Sequence, residues 1–311
     1  MNYRHSFHAG NFADLVKHAL VLWLLKERQA WTEALGPVTV IDTHAGAGLY
    51  DLSGDGARSK EAEAGVARLM TAEDRPPLIE ALAAEVAALN PEGGARFYPG
   101  SPLLIARALR DGERYVGFEF HPPVQDMLAE ALADWPAAEG HEGDGYVEAL
   151  KAAKATKGPL VLIDPPFERP DDYVRSAETA AAILRHDRTA TVAIWTPLKD
   201  METFDGFIRR LEEAKVGRVL VAEARLRPLN NPMKMNGCTM TVVNPPSGAE
   251  AAAAEICGWV AATLGEAGAR AEVNRGEIPA LLAEYHRAGV TIAAICTGAM
   301  LLSAAGILRG R

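Results

Sequence analysis

Val38-Thr39-Val40-Ile41-Asp42-Thr43-His44-Ala45-Gly46-Ala47-Gly48 decides how the rest of the chain is read. The β-branched run predicts a buried strand, and two glycines one residue apart predict a tight turn just past Asp42, with a helix to follow. Three further apolar runs stop in the same manner. Tyr115-Val116-Gly117-Phe118 stops at Glu119, Leu160-Val161-Leu162-Ile163 stops at Asp164, and Thr191-Val192-Ala193-Ile194-Trp195 ends before Pro197. Helical periodicities fill the gaps between them. Strand and helix in alternation specify an α/β fold with a doubly wound parallel sheet, whose ligands collect at the carboxyl ends of the strands. Downstream, Arg218 to Leu226 and Cys238 to Val243 flank a loop containing Pro228, Asn230, Asn231 and Gly237, the pattern of a terminal antiparallel hairpin. Upstream, Val16, Leu20, Trp23 and Leu24 lie on one helical stripe behind a polar, aromatic and basic arm, Tyr3 to Asn11. Residues 52–97 are rich in Ala and Glu, and Leu78, Leu82, Val86 and Leu89 repeat at helical spacing, so this stretch predicts a helical insertion.

A chain of 311 residues, 49% hydrophobic, can bury one large α/β core with a little to spare. Its 32 basic and 41 acidic residues give a net charge of -9, the wrong sign for gripping nucleic acid indiscriminately through phosphates. Any such contact has to be a local patch, for which Arg4, Lys17, Arg225, Arg227 and Lys234 are the candidates. Cys238, Cys257 and Cys296 match neither a metal-ligand spacing nor a disulfide framework, and no signal-peptide core opens the chain. These features predict a cytoplasmic protein with no metal site.

The chemistry is carried by the strand ends. A dinucleotide fingerprint would place its third small residue at position 51, where this chain has Asp, a poor neighbour for a pyrophosphate. The Gly46 and Gly48 pair behind Asp42 instead suits a ligand that presses on the backbone and offers a positive centre to the carboxylate; taken alone it is equally a structural turn. Glu119 ends the next strand, where an acid can accept both hydroxyls of a ribose. Gly143-Asp144-Gly145-Tyr146 is an acidic turn able to take an adenine amino group, or a plain turn. Asp164-Pro165-Pro166-Phe167 is the sharpest element. Two prolines end the strand and remove two donors, leaving the Asp164 carboxylate and the Pro165 carbonyl as adjacent acceptors beside an aromatic ring. Two acceptors can hold both hydrogens of an exocyclic amine and turn its lone pair toward an electrophile, while Phe167 stacks on the base.

Asp42 to Gly48 resembles motif I of class I methyltransferases, and Asp164 to Phe167 resembles the (D/N)PP(Y/F) motif of amino-group methyltransferases. More specifically, Tyr3-Arg4-His5-Ser6-Phe7-His8-Ala9-Gly10-Asn11, Lys17-His18, the glycine loop, Tyr98-Pro99-Gly100-Ser101-Pro102 and Asp164-Pro165-Pro166 resemble the RlmJ family of large-subunit ribosomal RNA adenine-N6 methyltransferases, over residues 1 to about 273. The resemblance implies a class I Rossmann-like methyltransferase with S-adenosylmethionine as cofactor. It places cofactor contacts at His18, His44, Ser101, Glu119, Asp144, Gly145 and Asp164, with Asp164 also the catalytic acceptor; the residues themselves add Gly46 and Gly48 to the cofactor site, Pro165 and Phe167 to catalysis, and Tyr3, Arg4 and Lys17 as substrate contacts. Phe167 stands where family members commonly have Tyr, which keeps the stacking face and loses a hydroxyl. The implied partner is ribosomal RNA, met before full assembly, by a monomer that uses no membrane.

From about Asn274 the resemblance stops. Ile292 to Leu302, with Cys296, resembles the nucleophile elbow of DJ-1/PfpI-like domains, so residues 274–311 are expected to be a partial, catalytically idle appendage without a His partner for Cys296. The rival reading is a membrane tail anchor over the uncharged stretch from Ala288 to Leu308, diluted by Gly289, Gly298 and Gly306. Two other functions are weighed against RNA methylation. A DNA adenine methyltransferase would need a target-recognition region for which no sequence is left, and a non-catalytic RNA-binding assembly factor would not need an intact Asp164-Pro165-Pro166.

Overall fold

Apolar runs flanked by turn residues form strands where their composition places them. The computed structural model describes residues 8–53, 60–229 and 235–276. In chain order the strands are β1 (Thr39–Asp42), β2 (Leu49–Asp51), β3 (Phe97–Pro99), β4 (Arg114–Glu119), β5 (Ala138–Glu142), β6 (Leu160–Ile163), β7 (Thr191–Leu198), β8 (Val219–Arg225), β9 (Gly237–Val243) and β10 (Arg270–Gly276). The main sheet runs β10-β8-β9-β7-β6-β1-β4-β5. The segment β5-β4-β1-β6-β7 is parallel. The hairpin partners β8 and β9 pair antiparallel as their sequence predicts, and β9 inserts between β7 and β8. Both faces of the sheet are covered, and β6 and β9 are buried at every position. Strands covered on both faces must be apolar throughout, which accounts for the unbroken Leu160 to Ile163.

The helices divide between the two faces. On one side α1 (Phe12–Gln29) is opened by Asn11, whose side chain accepts the amides of Ala13 and Asp14 at 2.9 and 3.0 Å. After the short α2 (Thr32–Leu35), the insertion contributes α3 (Glu61–Ala64), α4 (Val66–Thr71) and α5 (Pro77–Leu89), followed by α6 (Ser101–Ala108). Leu15, Leu20, Leu24 and Leu25 of α1 are fully buried in this layer, each contributing about 1.5–3 kcal/mol through removal from water. Beyond α7 (Pro122–Ala131), the opposite face carries α8 (Gly145–Lys154), α9 (Asp172–His186) and α10 (Met201–Glu213); α11 (Ala249–Leu264) returns to pack on α1.

Three features differ from the sequence reading. The helix expected directly after Gly48 is displaced: the chain first forms β2, which pairs with β3, and the helix begins only at Ser101. The insertion therefore leaves and returns through a two-stranded ribbon. Strand β5 is not expected from sequence, because Ala138-Glu139-Gly140-His141-Glu142 has no apolar run; it is an edge strand with one neighbour. Strand β10 carries the pairing with β8 as far as Gly276, so the sheet crosses the boundary expected at residue 273. The expectations for Tyr3, Arg4, Lys234, Cys296 and the rest of the tail lie outside the described residues. Among those residues no helix is long and apolar enough to cross a membrane.

Candidate active site

The carboxyl edge of the parallel strands gathers the acids predicted to lie there. Asp42 ends β1 fully buried, and its carboxylate accepts the Ser101 hydroxyl at 2.8 Å, the Tyr115 hydroxyl at 3.3 Å and the His44 amide at 3.2 Å. Burial pushes this carboxyl up to about 6, with Asp164 adding to the shift and Ser101 opposing it. Past Asp42 the backbone is left-handed at Gly46 (φ 68°) and Gly48 (φ 75°), a conformation that costs glycine nothing. Glu119, at the end of β4, folds back over this loop and accepts the amides of Gly46 at 3.1 Å and His121 at 2.9 Å. The next turn lies against the same loop. Asp144 caps α8 through the Tyr146 amide at 3.1 Å and meets Arg175 at 2.6 Å; burial works against its charge, but Arg175 prevails and holds the carboxyl below its ordinary value. A Cβ at Gly145 would stand 1.6 Å from the Thr43 carbonyl oxygen. Only glycine fits there.

Asp164 and Pro165, just after β6, line one pocket together with His44 and Gly46. The floor of that pocket is α1. Lys17 donates to Asp164 at 2.6 Å and lies 2.8 Å from Asp14. Burial disfavours the ammonium, yet Asp14 and Asp164 outweigh it and hold Lys17 well above its ordinary value. Burial pushes the Asp164 carboxyl up against the pull of Lys17. His18, one residue on, sits 2.8 Å from the Tyr98 hydroxyl through Nδ1, while its buried Nε2 has no protein partner.

Burial, with the Lys17 charge adding to it, lowers the His18 pKa to about 3, so the ring is neutral. The unfolded chain binds a proton below about 6.5 that the folded protein refuses, so the stability this residue contributes above 6.5 is lost as pH falls toward 3. Asp42 has the opposite sign: its contribution is full below 3.8 and is lost as pH rises through about 6. His18→Gln removes the first titration, and urea unfolding of that variant is expected to lose less stability than the parent as pH is lowered below 6.5. Equal losses in the two proteins would sink the assignment.

The structure thus brings His18, His44, Gly46, Ser101, Lys17, Asp164 and Pro165 to one cavity, with Gly48, Glu119, Asp144 and Gly145 around the glycine loop beside it. Phe167 takes another place. Its backbone is left-handed (φ 51°), it is 8% exposed, and its ring packs 4.5 Å from Tyr173 and 5.7 Å from Trp195. Trp195, supplied by β7, lines the cavity in its place. Asn11, Asp14, Tyr50 and Gly100 also line it, with no role expected of them from sequence; Asn11 and Gly100 belong to the quoted motifs, and Asp14 stands three residues before Lys17. Arg225 and Arg227, read as a basic patch, are spent on Glu223 and Glu266. The donor set suits S-adenosylmethionine, since strand-end carboxylates face a glycine loop and a neutral, unpartnered imidazole nitrogen lines the same cavity.

The family described as Ribosomal RNA large subunit methyltransferase D, RlmJ, matches residues 36–275. The chain belongs to the RlmJ family. The Ribosomal RNA large subunit methyltransferase J of Escherichia coli (strain K12) is 32% identical over 273 residues, covering 86% of this chain and 95% of that protein. The protein of the same name from Haemophilus influenzae is 32% identical over 268 residues, 85% of this chain and 94% of its own. Among solved structures, a Legionella pneumophila str. Philadelphia 1 protein is similar with a TM-score of 0.79 and 25% identity, covering 86% of this chain and 98% of that one. As an RlmJ family member the chain is a class I, Rossmann-like methyltransferase, and S-adenosylmethionine is its cofactor.

Proposed function

We propose that this protein transfers the methyl group of S-adenosylmethionine to the exocyclic N6 of an adenine in large-subunit ribosomal RNA. One observation carries the reading. Asp164 and Pro165 share a cavity with His44 and Gly46, so an amine held by the first pair lies beside a donor held by the glycine loop. The relatives' names supply the substrate class, large-subunit ribosomal RNA.

When bound, the cofactor supplies an electrophilic methyl group on a sulfonium. His18, His44, Gly46, Gly48, Ser101, Glu119, Asp144, Gly145 and Asp164 are the residues assigned to hold it. The Asp164 carboxylate and Pro165 carbonyl accept the two amine hydrogens and aim the nitrogen lone pair. Trp195 offers the base a ring at the cavity wall, with Phe167 packed behind it. Asp164 takes the proton that the nitrogen releases. Holding the reacting pair in near-attack geometry can supply roughly 7–11 kcal/mol, which makes positioning the main source of rate. The target base must leave its stack, at a cost of a few kcal/mol that is smaller in RNA without firm pairing, and this favours rRNA before assembly is complete. Cys238 and Cys257 are buried free thiols, in keeping with a reducing cytoplasm.

Labelled cofactor incubated with protein-free large-subunit rRNA, assembled subunits or duplex DNA, followed by nucleoside analysis, tests class and substrate together. Label in N6-methyladenosine from free rRNA is expected, with less from subunits. Label from duplex DNA alone would point to the DNA enzyme, and no label in any arm would leave a non-catalytic assembly factor.

A further inference from the structure

The first turn of α1 carries an acid, Asp14, to which the transfer reaction gives no task. Asp14 Oδ1 lies 2.8 Å from the Lys17 ammonium, and the same ammonium lies 2.6 Å from Asp164 Oδ2. All three side chains line the cavity, 19%, 12% and 14% exposed, so water screens their charges little. The second oxygen of Asp14 accepts the Gly10 amide at 2.9 Å, and the Asp14 amide donates to Asn11 at 3.0 Å. The carboxylate is held in place from both ends.

Asp164 has two claimants. The substrate amine needs the acceptor on which Lys17 rests, so Lys17 has to give it up. A partly buried ammonium stripped of its counter-ion costs several kcal/mol, which would keep the lysine where it is unless a second anion remains. The proton step sharpens the requirement. Before it, the three groups carry two negative charges and one positive. Once the nitrogen has passed its proton to Asp164, that carboxyl is neutral, and Asp14 is the remaining anion within ion-pair distance of Lys17.

We propose that Asp14 is a positioning residue that keeps Lys17 compensated while Asp164 passes from the lysine to the substrate amine and takes its proton. This inference rests on the proposed function, with Asp164 as acceptor. Single-turnover methylation of protein-free large-subunit rRNA is measured for Asp14→Asn, Lys17→Met and the double variant, with cofactor affinity by calorimetry for each. Asp14→Asn is expected to slow transfer by about tenfold or more while cofactor Kd stays within about threefold, a loss in the reacting state rather than in binding. In the Lys17→Met background the same change is expected to cost less than about twofold, because an acid that acts through the ammonium has nothing left to hold. A single variant within about twofold of the parent, or an equal slowing in both backgrounds, would overturn the proposal and leave Asp14 as a helix-end acceptor only. Should Asp14→Asn lose cofactor binding, Asp14→Ser, which keeps an oxygen acceptor without the charge, is put through the same cycle under the same criteria. Asp164→Ala run alongside separates the two ideas: its retained activity would remove the underlying reading, whatever Asp14 does.

Discussion

Asp164→Ala is expected to abolish methyl transfer and leave cofactor binding largely intact. The alanine removes one of the two acceptors for the amine and the group that takes its proton. Loss of a positioned acid–base group costs about 10²–10⁴ in rate, and lost alignment of the nucleophile adds to that. The fold is expected to survive the change, because Lys17 keeps Asp14 at 2.8 Å and no buried cation is orphaned. Calorimetry with the cofactor and quantification of N6-methyladenosine in rRNA together check the result. Turnover above about a tenth of the parent would take Asp164 out of the reaction, given the size of effect such a residue carries.

Gly145→Ala is expected to damage both stability and cofactor affinity, although position 145 carries no functional group. The added carbon would meet the Thr43 carbonyl oxygen at 1.6 Å and its carbon at 2.5 Å, and both are backbone. Relief requires either β1 and its glycine loop or the start of α8 to shift. Such overpacking costs about 1–3 kcal/mol and sometimes more, and for a protein of this size each kcal/mol lowers Tm by roughly 1.5 °C. Displacement of the loop that holds Gly46 adds a loss of cofactor affinity. Gly206→Ala supplies the control: nothing lies within 4 Å of its added carbon in the middle of α10, so that variant is expected to be neutral or slightly stabilised by about 0.5–1 kcal/mol. Similar melting temperatures for the two alanine variants would show that the Thr43 contact relaxes at little cost.

The catalytic strand ends were legible because their chemistry and their burial coincide in short stretches. Leu160 to Ile163 has to be apolar to lie between two helical layers, and Asp164 stands out against that background. Residues joined through space and not along the chain left weaker traces. Trp195 is a cavity wall only because β7 lies beside β6, and nothing in Thr191 to Trp195 distinguishes it from core. Asp14 reads as an ordinary first-turn acid until Asp164 is brought to the far side of Lys17. Phe167 shows the same limit: sequence places it next to the Asp-Pro-Pro turn, and only the fold shows its left-handed backbone and its ring packed on Tyr173. The helix expected after Gly48 was misplaced because β2 is three residues long and finds its partner only at residues 97–99. The polar edge strand β5 carries a composition that local propensity assigns to a loop.

The β2–β3 ribbon clasps the chain at Asp51 and Phe97, so the excursion between them departs and re-enters at one spot. Loop-closure entropy rises only with the logarithm of length, and a clasp that already holds both ends makes growth or shrinkage of that excursion cheap. What it lends to the pocket comes from its stems and first turn: Tyr50, Tyr98 and Glu61, the last meeting His8 and Asn11 at 3.0 Å each. Changes of length confined to its exposed turns are therefore expected to leave the strand-end site in place, while Leu69, Ile79, Leu82 and Val86 anchor its helices in the core.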